Sequence, residues 1–466
     1  ALVEAFTQAG RKGLQPDEYD GPLWESRMQR FTAGPPTPAA LASFDLALTV
    51  SAIRYVSDIH VGRVNPRDLE CGLVPNHFDV AQFIRSQLVS SANPKDALER
   101  IEPDFDGYRR TLKALEDYRK LAAQPEPALL PEVKKPVLPG QSYSAALQLA
   151  QKLQRLGDLQ PDTQLSAESG IYAEPLSAAV RRFQSRHGLT VDGRLGPETV
   201  RELNVPAARR VIQLTLAVER WRWLPADLKP PLVVVNIPEF QLRAYQTRRL
   251  ALSMKVIVGK AFDHQTPIFI DNMRYIIFKP YWNVPRSIIQ NEILPALGAK
   301  PNYFARHRME ITDGNGRIIS QGRADAATLQ QLRAGRLQLR QRPGQGNSLG
   351  QVKFVFPNQY DVYLHGTPER SLFLQFRRDF SHGCIRVEDP ESLAAWLLRE
   401  DPSWTPERIR ASMNGARTFQ VPLPRPVPVL ILYGTAFVEE NGEVRFYQDI
   451  YRQDAALERA LAARRP

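Results

Sequence analysis

The chain has 466 residues, of which 43% are hydrophobic and 24% are charged, and its formal net charge is +11. This length predicts about three domains, and the composition excludes an intrinsically disordered protein. A positive charge suits nucleic acid, an anionic membrane surface or an acidic polymer. The basic residues are spread along the chain without a nucleic-acid-binding motif, so we interpret them as a solvated surface and expect no nucleic-acid partner.

The N-terminal sequence shows no export signal. We find no run of about 18 apolar residues that could cross a bilayer, and no signal segment begins at Ala1. A leader or membrane anchor, if the protein has one, is therefore expected outside this chain.

Residues 1 to about 125 have apolar positions at the three- and four-residue spacing of helices. The clearest segments are 41–62, 79–91 and 106–123. The following stretch, QPEPALLPEVKKPVLPG (residues 124–140), contains five prolines, which no helix interior tolerates. We predict a helical scaffold domain that ends in a proline-rich linker, over residues 1–140.

The next region predicts three short helices. The first ends near Gly157, the second ends near Gly188, and the third begins at Pro197, a residue type that suits the first turn of a helix. The sequence AVRRFQ followed by HGLTVDGRLG resembles the hallmark of the peptidoglycan-binding domain found on many bacterial wall enzymes. A generic three-helix bundle is the alternative, although it would not need this glycine-rich turn. We assign the module to residues 141–207.

From Pro231 onwards the pattern changes to strands rich in Val, Ile, Tyr and Phe, separated by turn residues. The strand-like segments are 231–246, 250–260, 272–285, 352–358 and 360–366. We predict a β-rich domain over residues 208–426.

A long insertion interrupts these strands at residues 302–350, with a helix at 326–337 and a glycine-rich loop at 342–350. Long insertions in compact domains commonly serve as lids, so we predict a cap over the site. The remaining residues, 427–466, predict a hairpin turning at 440–442 and then a helix, which we expect to pack on the scaffold. The whole chain is thus a multidomain α+β protein.

Cys384 is one of only two cysteines and lies in SHGCIRV (residues 381–387). His365 precedes it by 19 residues, at the end of the alternating segment YDVYLHG, in which Tyr363 and His365 share a face. The chain between them is long enough to bring the two segments side by side. An imidazole within reach of a thiol can take its proton and leave the nucleophilic thiolate.

Two glycines complete this constellation. The carbonyl of Gly366 is a candidate for orienting the His365 ring, because an imidazole needs an acceptor to fix its tautomer. Gly383 allows the backbone amides of His382, Gly383 and Cys384 to turn toward one point, as an oxyanion hole for acyl transfer requires.

The motifs HGT and SHGCIRV resemble the signature of the L,D-transpeptidases, cysteine enzymes that cross-link peptidoglycan. The arrangement is similar to the large Gram-negative type, with a helical scaffold, an inserted peptidoglycan-binding module and a mobile cap. The resemblance implies that Cys384 is the nucleophile and His365 the base. It also implies a group of residues that shape the site or line the substrate groove, namely Ser381, Arg386, Tyr363, Tyr281 and Trp282.

The same resemblance implies a reaction and a location. Cys384 would attack the carbonyl of the third residue of a tetrapeptide stem, a diamino acid, and expel the terminal D-alanine. The amine of a second stem would then resolve the thioester into a 3→3 cross-link. It further implies an exported, periplasmic or envelope-associated protein with carbapenem sensitivity, peptidoglycan stem peptides as partners, no cofactor and no metal. Protein partners are left unspecified.

Several alternatives stay open at this point. Cys384 could form a disulfide with Cys71, bind zinc together with His365 and His382, or be a buried inert thiol. The enzyme could be an L,D-carboxypeptidase that uses the same site, or the protein could bind peptidoglycan without catalysis. An ordinary cysteine peptidase is disfavoured because the sequence around Cys384 lacks the motifs of those families.

Overall fold

The computed structural model describes residues 1–32, 35–163, 170–299 and 302–464. It contains two compact units, one formed by Ala1–Leu228 together with Tyr433–Pro466 and the other by Lys229–Leu432. The chain enters the second unit once and leaves it once, so the second unit is an insertion within the first. The helical and β-rich parts confirm the predicted multidomain α+β class.

The α-helices are α1 (Leu2–Thr7), α2 (Trp24–Thr32), α3 (Pro38–Val61), α4 (Val80–Phe83), α5 (Pro94–Arg100), α6 (Asp106–Ala122), α7 (Ala146–Arg155), α8 (Leu176–Arg186), α9 (Pro197–Leu203), α10 (Ala207–Arg222), α11 (Arg286–Ile288), α12 (Leu294–Ala299), α13 (Tyr303–Arg306), α14 (Ala326–Arg333), α15 (Pro390–Leu398), α16 (Pro406–Asn414) and α17 (Gln453–Ala463). Two π-helical turns, Ile84–Leu88 and Ile289–Ile293, follow α4 and α11. Among the described residues, five 3₁₀ turns lie at Ala9–Lys12, Pro16–Tyr19, Gly21–Leu23, Pro66–Leu69 and Arg370–Leu374.

The strands are β1 (Gln141–Ser142), β2 (Ile171–Tyr172), β3 (Leu232–Asn236), β4 (Gln241–Gln246), β5 (Arg249–Gly259), β6 (Phe269–Phe278), β7 (Trp282–Asn283), β8 (Met309–Thr312), β9 (Ile318–Gln321), β10 (Gln338–Gln341), β11 (Val352–Val355), β12 (Leu364–His365), β13 (Asp379–Ser381), β14 (Ile385–Val387), β15 (Phe419–Leu432), β16 (Ala436–Val438) and β17 (Val444–Phe446).

Helix α3 corrects one expectation from the sequence. Its 24 residues are long and apolar enough to cross a membrane by length and composition, with a mean hydropathy of 1.4, whereas we expected no such segment. The C-terminal half buries Tyr55, Val56 and Ile59 in the core of the scaffold, as a helix of a soluble domain also does. Leu41 and Leu46, in the N-terminal half, are exposed.

The predicted module over residues 141–207 has the three expected helices, α7, α8 and α9. Helix α9 begins at Pro197 as predicted, and Gly157 and Gly188 follow the ends of α7 and α8 with positive φ. The Gln184 side chain explains the turn after AVRRFQ: its carbonyl oxygen accepts hydrogen bonds from the amides of Asp192 and Gly193. Part of the predicted loop between α7 and α8, residues 164–169, lies outside the described residues.

Helix α10 belongs to the first unit, so the second unit begins at Lys229 and not at the predicted boundary of 208. The reason is packing: Leu214 and Val218 of α10 share a core with Leu115 of α6 and with Phe446 of the C-terminal hairpin. That hairpin, β16–β17, and helix α17 thus pack back on the helical unit. The segment starts at Tyr433, later than the predicted 427, because β15 continues to Leu432.

The second unit is built on a sheet of nine strands in the order β13-β5-β14-β12-β11-β6-β15-β3-β4. Strand β4 also pairs with β5, so eight of these strands close into a barrel, and β13 attaches to β5. Closing the sheet removes the exposed edges that an open sheet would leave. Strands β12 and β14 run parallel to each other in this barrel, and they carry the predicted site.

A smaller subdomain has its own core and a four-stranded sheet in the order β7-β10-β8-β9. Its core residues extend from Val284 to Leu339, so the cap starts before the predicted insertion at 302. Strand β7 explains the earlier start, because Trp282 pairs with Gln341 of β10. We call residues 282–341 the cap.

Candidate active site

His365 and Cys384 lie on neighbouring parallel segments of the barrel. Leu364 of β12 pairs with Ile385 of β14, and His365 pairs with Arg386. Because side chains alternate along strands, His365, Arg386 and Cys384 project from the same face of this pair. The register thus places the imidazole and the thiol one strand apart, although they are 19 residues apart in sequence.

The His365 ring is held in one tautomer. Its Nδ1 lies 2.5 Å from the carbonyl oxygen of Gly366, and a carbonyl only accepts, so Nδ1–H is the donor. Burial, aided by the nearby Arg386 charge, lowers the pKa of His365 to about 3, and the ring is neutral at pH 7. Nε2 then carries an unshared pair, as a general base requires.

The Cys384 thiol is partly exposed and lies among polar groups. Its Sγ donates to the carbonyl oxygen of Asp361 at 3.8 Å and is hydrogen-bonded to the Tyr363 phenol. Burial raises the pKa of the thiol, and the Tyr363 hydrogen bond and the Lys353 ammonium act in the opposite direction. The thiol is therefore protonated at neutral pH.

The resting state differs from the thiolate expected from the sequence. Within the part of the chain that the structure describes, no hydrogen bond joins Cys384 Sγ to His365. Both groups are neutral because burial disfavours the charged form of each.

The loop before Cys384 is fixed by its own serine. Ser381 Oγ donates to the Cys384 carbonyl at 2.5 Å and accepts from the Gly383 amide at 3.2 Å. Gly383 has φ +108, a region that favours glycine, and its carbonyl accepts from Thr266 Oγ1 at 2.8 Å. Since the Gly383 amide already has a partner, its predicted part in an oxyanion hole requires the bond to Ser381 to open.

The other predicted residues fall into two groups. Arg386 forms an ion pair with Glu369, and Tyr363 packs under the Lys353 ammonium, which is 3.7 Å from its ring centroid. Trp282 is the first residue of the cap and packs against its core, and Tyr281 directly precedes it, with Arg340 of the cap over its ring. Tyr281 and Trp282 thus contact residues of the cap, whereas Arg386 and Tyr363 contact Glu369 and Lys353.

Both cysteines are free thiols, so the disulfide between Cys71 and Cys384 is not formed. The zinc set considered from the sequence is not assembled among the described residues. His382 is instead in direct contact with Glu292 of the cap, and the ligand atoms of His264, Glu292 and His382 lie within 4.8 Å of one another.

Several residues that shape this site were not predicted from the sequence. One signal was available: Lys353 is a charged residue inside the apolar strand segment VKFVF, where a solvated side chain is not expected. Asp361 (φ +52), Thr266, His264 and Glu292 gave no such signal. Only the folded chain brings Asp361 to the thiol, Thr266 to the Gly383 carbonyl, and His264 and Glu292 to His382.

Three families match separate parts of the chain. Residues 230–415 match the YkuD L,D-transpeptidase catalytic domain, residues 1–115 match the Scaffold domain, and residues 142–203 match the "Putative peptidoglycan binding domain". A Haemophilus influenzae protein named "Putative L,D-transpeptidase" is 34% identical over 226 residues, which are 48% of this chain and 45% of that protein. The match thus spans less than half of that relative.

Two solved structures are similar at a low level. One is an L,D-transpeptidase from Xylanimonas cellulosilytica, with 14% identity and a TM-score of 0.19, covering 65% of this chain and 100% of that chain. The other is a fused Zn-dependent amidase/peptidase/peptidoglycan-binding domain-containing protein from Clostridium acetobutylicum. It has 12% identity and a TM-score of 0.18, and the match covers 64% of this chain and 99% of that chain. TM-scores this low do not establish a shared fold.

Proposed function

Because residues 230–415 of this chain belong to the L,D-transpeptidase catalytic domain family, we propose that the protein forms 3→3 cross-links between peptidoglycan stem peptides through a thioester on Cys384. The observation that carries this proposal is the position of Cys384 beside His365, whose ring is held by the Gly366 carbonyl. The peptidoglycan-binding domain at residues 142–203 supports the wall polymer as the substrate.

The proposed first step forms the acyl-enzyme. As Cys384 Sγ attacks the carbonyl carbon of the diamino acid, its proton passes to His365 Nε2, and a C–S bond forms. The backbone amides of His382, Gly383 and Cys384 would stabilise the oxyanion, once the Ser381 bond to Gly383 has opened. Collapse of the intermediate breaks the C–N bond, and D-alanine leaves with the proton from His365.

The second step transfers the acyl group. The side-chain amine of a second stem gives a proton to His365 and attacks the thioester, and Cys384 leaves and regains that proton. Water in place of the amine would give the tripeptide of an L,D-carboxypeptidase. The neutral His365 ring has a free Nε2 electron pair in both steps, and the resting thiol carries the proton that D-alanine needs in the first step.

A single incubation tests this proposal. Purified protein is mixed with disaccharide-tetrapeptide, and the products are followed by mass spectrometry. Dimers that have lost one D-alanine are expected. A separate incubation with a carbapenem should give a covalent adduct on Cys384. Tripeptides without dimers would instead establish the carboxypeptidase.

The matched control for this incubation is Cys384→Ala, in which neither product should form. A non-catalytic binding protein would yield neither product with the unaltered chain.

Because the substrate lies in the cell wall, we also propose that the protein works outside the cytoplasm, in the periplasm or at the envelope.

A further inference from the structure

Three metal-ligating side chains meet on the second unit, next to the loop that carries Cys384. His382 lies two residues before Cys384, and His264 follows β5, with the two rings 4.8 Å apart between centroids. Glu292 comes from the cap, on the π-helical turn between α11 and α12, and contacts His382 Nε2. Ligand atoms of all three lie within 4.8 Å of one another.

The chemistry of this cluster is that of a zinc site. Two imidazole nitrogens and one carboxylate oxygen are ligands that Zn²⁺ prefers, and metal–ligand bonds of about 2.0–2.1 Å place tetrahedral ligand atoms about 3.3 Å apart. The present spacing is within side-chain rotation of that geometry. Glu292 is exposed and both histidines are partly exposed, so an ion can enter and a water can complete the coordination.

We propose that His264, Glu292 and His382 bind a divalent transition-metal ion, with Zn²⁺ as the best match. This set differs from the zinc site considered from the sequence, since it uses neither Cys384 nor His365. It leaves the thiol uncoordinated.

The bound ion would tie the cap to the loop of Cys384. Glu292 is on the cap, whereas His382 and His264 are on the barrel side of the same unit. Because His382 is part of the loop 381–384, coordination would restrain the backbone beside the thiol, including the Ser381 bond to Gly383 that the proposed oxyanion hole requires to open, and would slow reaction of Cys384. The ion is therefore an inhibitor that acts through the cap.

Binding is tested in the full chain carrying Cys384→Ser, which removes the competing thiol. Calorimetric titration with Zn²⁺ should show one site, and Glu292→Gln or His264→Ala in this background should weaken it at least about tenfold. His307→Ala and Glu407→Gln, which remove other residues of the same types from this unit, should leave the affinity unchanged. Absence of binding, or equal affinity in the Glu292 and His264 variants, overturns the site.

Inhibition is tested on the chain with its native thiol, and needs no assay of the proposed reaction. Zn²⁺ should slow alkylation of Cys384, followed by peptide mass spectrometry, and Glu292→Gln should largely restore the rate at the same Zn²⁺ concentration. Co²⁺ should bind without a thiolate-to-cobalt charge-transfer band. Equal slowing in both proteins, or the appearance of that band, would place the ion on Cys384 itself and overturn the proposal.

Discussion

Lys353 should lower the pKa of the Cys384 thiol, and Lys353→Met measures this effect. The ammonium lies 3.7 Å from the centroid of the Tyr363 ring, whose phenol is hydrogen-bonded to Cys384, and its charge favours the thiolate. Methionine keeps the length and packs on an aromatic ring, so it removes the charge with little loss of contact. Because a cation stabilises the thiolate, its removal should raise the thiol pKa.

The expected size follows from two opposing effects. A nearby charge shifts a pKa by about one unit or more, which reduces the thiolate fraction about tenfold at any pH below the thiol pKa. A more basic thiolate is also more nucleophilic, with a Brønsted coefficient of about 0.4–0.5. This raises the alkylation rate of each thiolate about threefold and partly offsets the smaller thiolate fraction. The net result is a fall of about threefold in the rate of Cys384 alkylation at pH 7.

The assay is the pH dependence of iodoacetamide labelling, with the Cys384 peptide resolved from the buried Cys71 by mass spectrometry. Lys353→Arg keeps the charge and should label close to the wild-type rate, and Lys255→Met controls for loss of a lysine elsewhere on the sheet. A Lys353→Met rate equal to wild type, or faster at every pH, would refute the electrostatic reasoning.

Three further changes test the fold and the site. Gly383→Ala should destabilise the second unit by about 1–3 kcal/mol in urea unfolding, because φ +108 is strained for alanine. Gly366→Ala is the control: its added Cβ meets only ordinary van der Waals contacts, so we expect a smaller loss of stability. The folded pKa of His365, about 3, lies below its unfolded value of about 6.5, so protonation favours the unfolded chain as the pH falls. The free energy of unfolding of the second unit should therefore fall by about 2 kcal/mol between pH 7 and pH 5, and this fall should be absent in His365→Asn. Phe446→Ala should destabilise the helical unit by about 3–5 kcal/mol, because the buried Phe446 ring contacts Tyr118 in its core. Urea unfolding measures this loss, and an unchanged midpoint would show that Phe446 does not contribute to the core.

The local features of the chain were predictable because they depend on neighbours in sequence. Pro197 begins α9, and positive-φ glycines follow α7 and α8, since backbone stereochemistry alone dictates both. The pairing of His365 with the Cys384 segment was also predictable, because strand alternation and the length of the connection sufficed.

What the sequence could not provide depends on long-range register. Lys353 reaches the thiol only because β11 pairs with β12, where Lys353 faces His365. The sequence of an amphipathic helix such as α10 does not show which core its apolar face joins. Because α10 packs in the core of the helical unit, the second unit begins at Lys229 and not at the predicted residue 208. Strand β15 carries several prolines that weaken its strand signal, although its last residues pair with both β3 and β6.

The inserted position of the second unit has a consequence for how the protein is made. Arg110 of α6 donates a hydrogen bond to the carbonyl of Val438, 328 residues later, and the core around Phe446 draws on both ends of the chain. A growing chain therefore exposes the apolar faces of α6 and α10 until the whole barrel and cap have been synthesised. The helical unit is the first to emerge and the last to close, so a chain that stops after Leu432 would leave this core open.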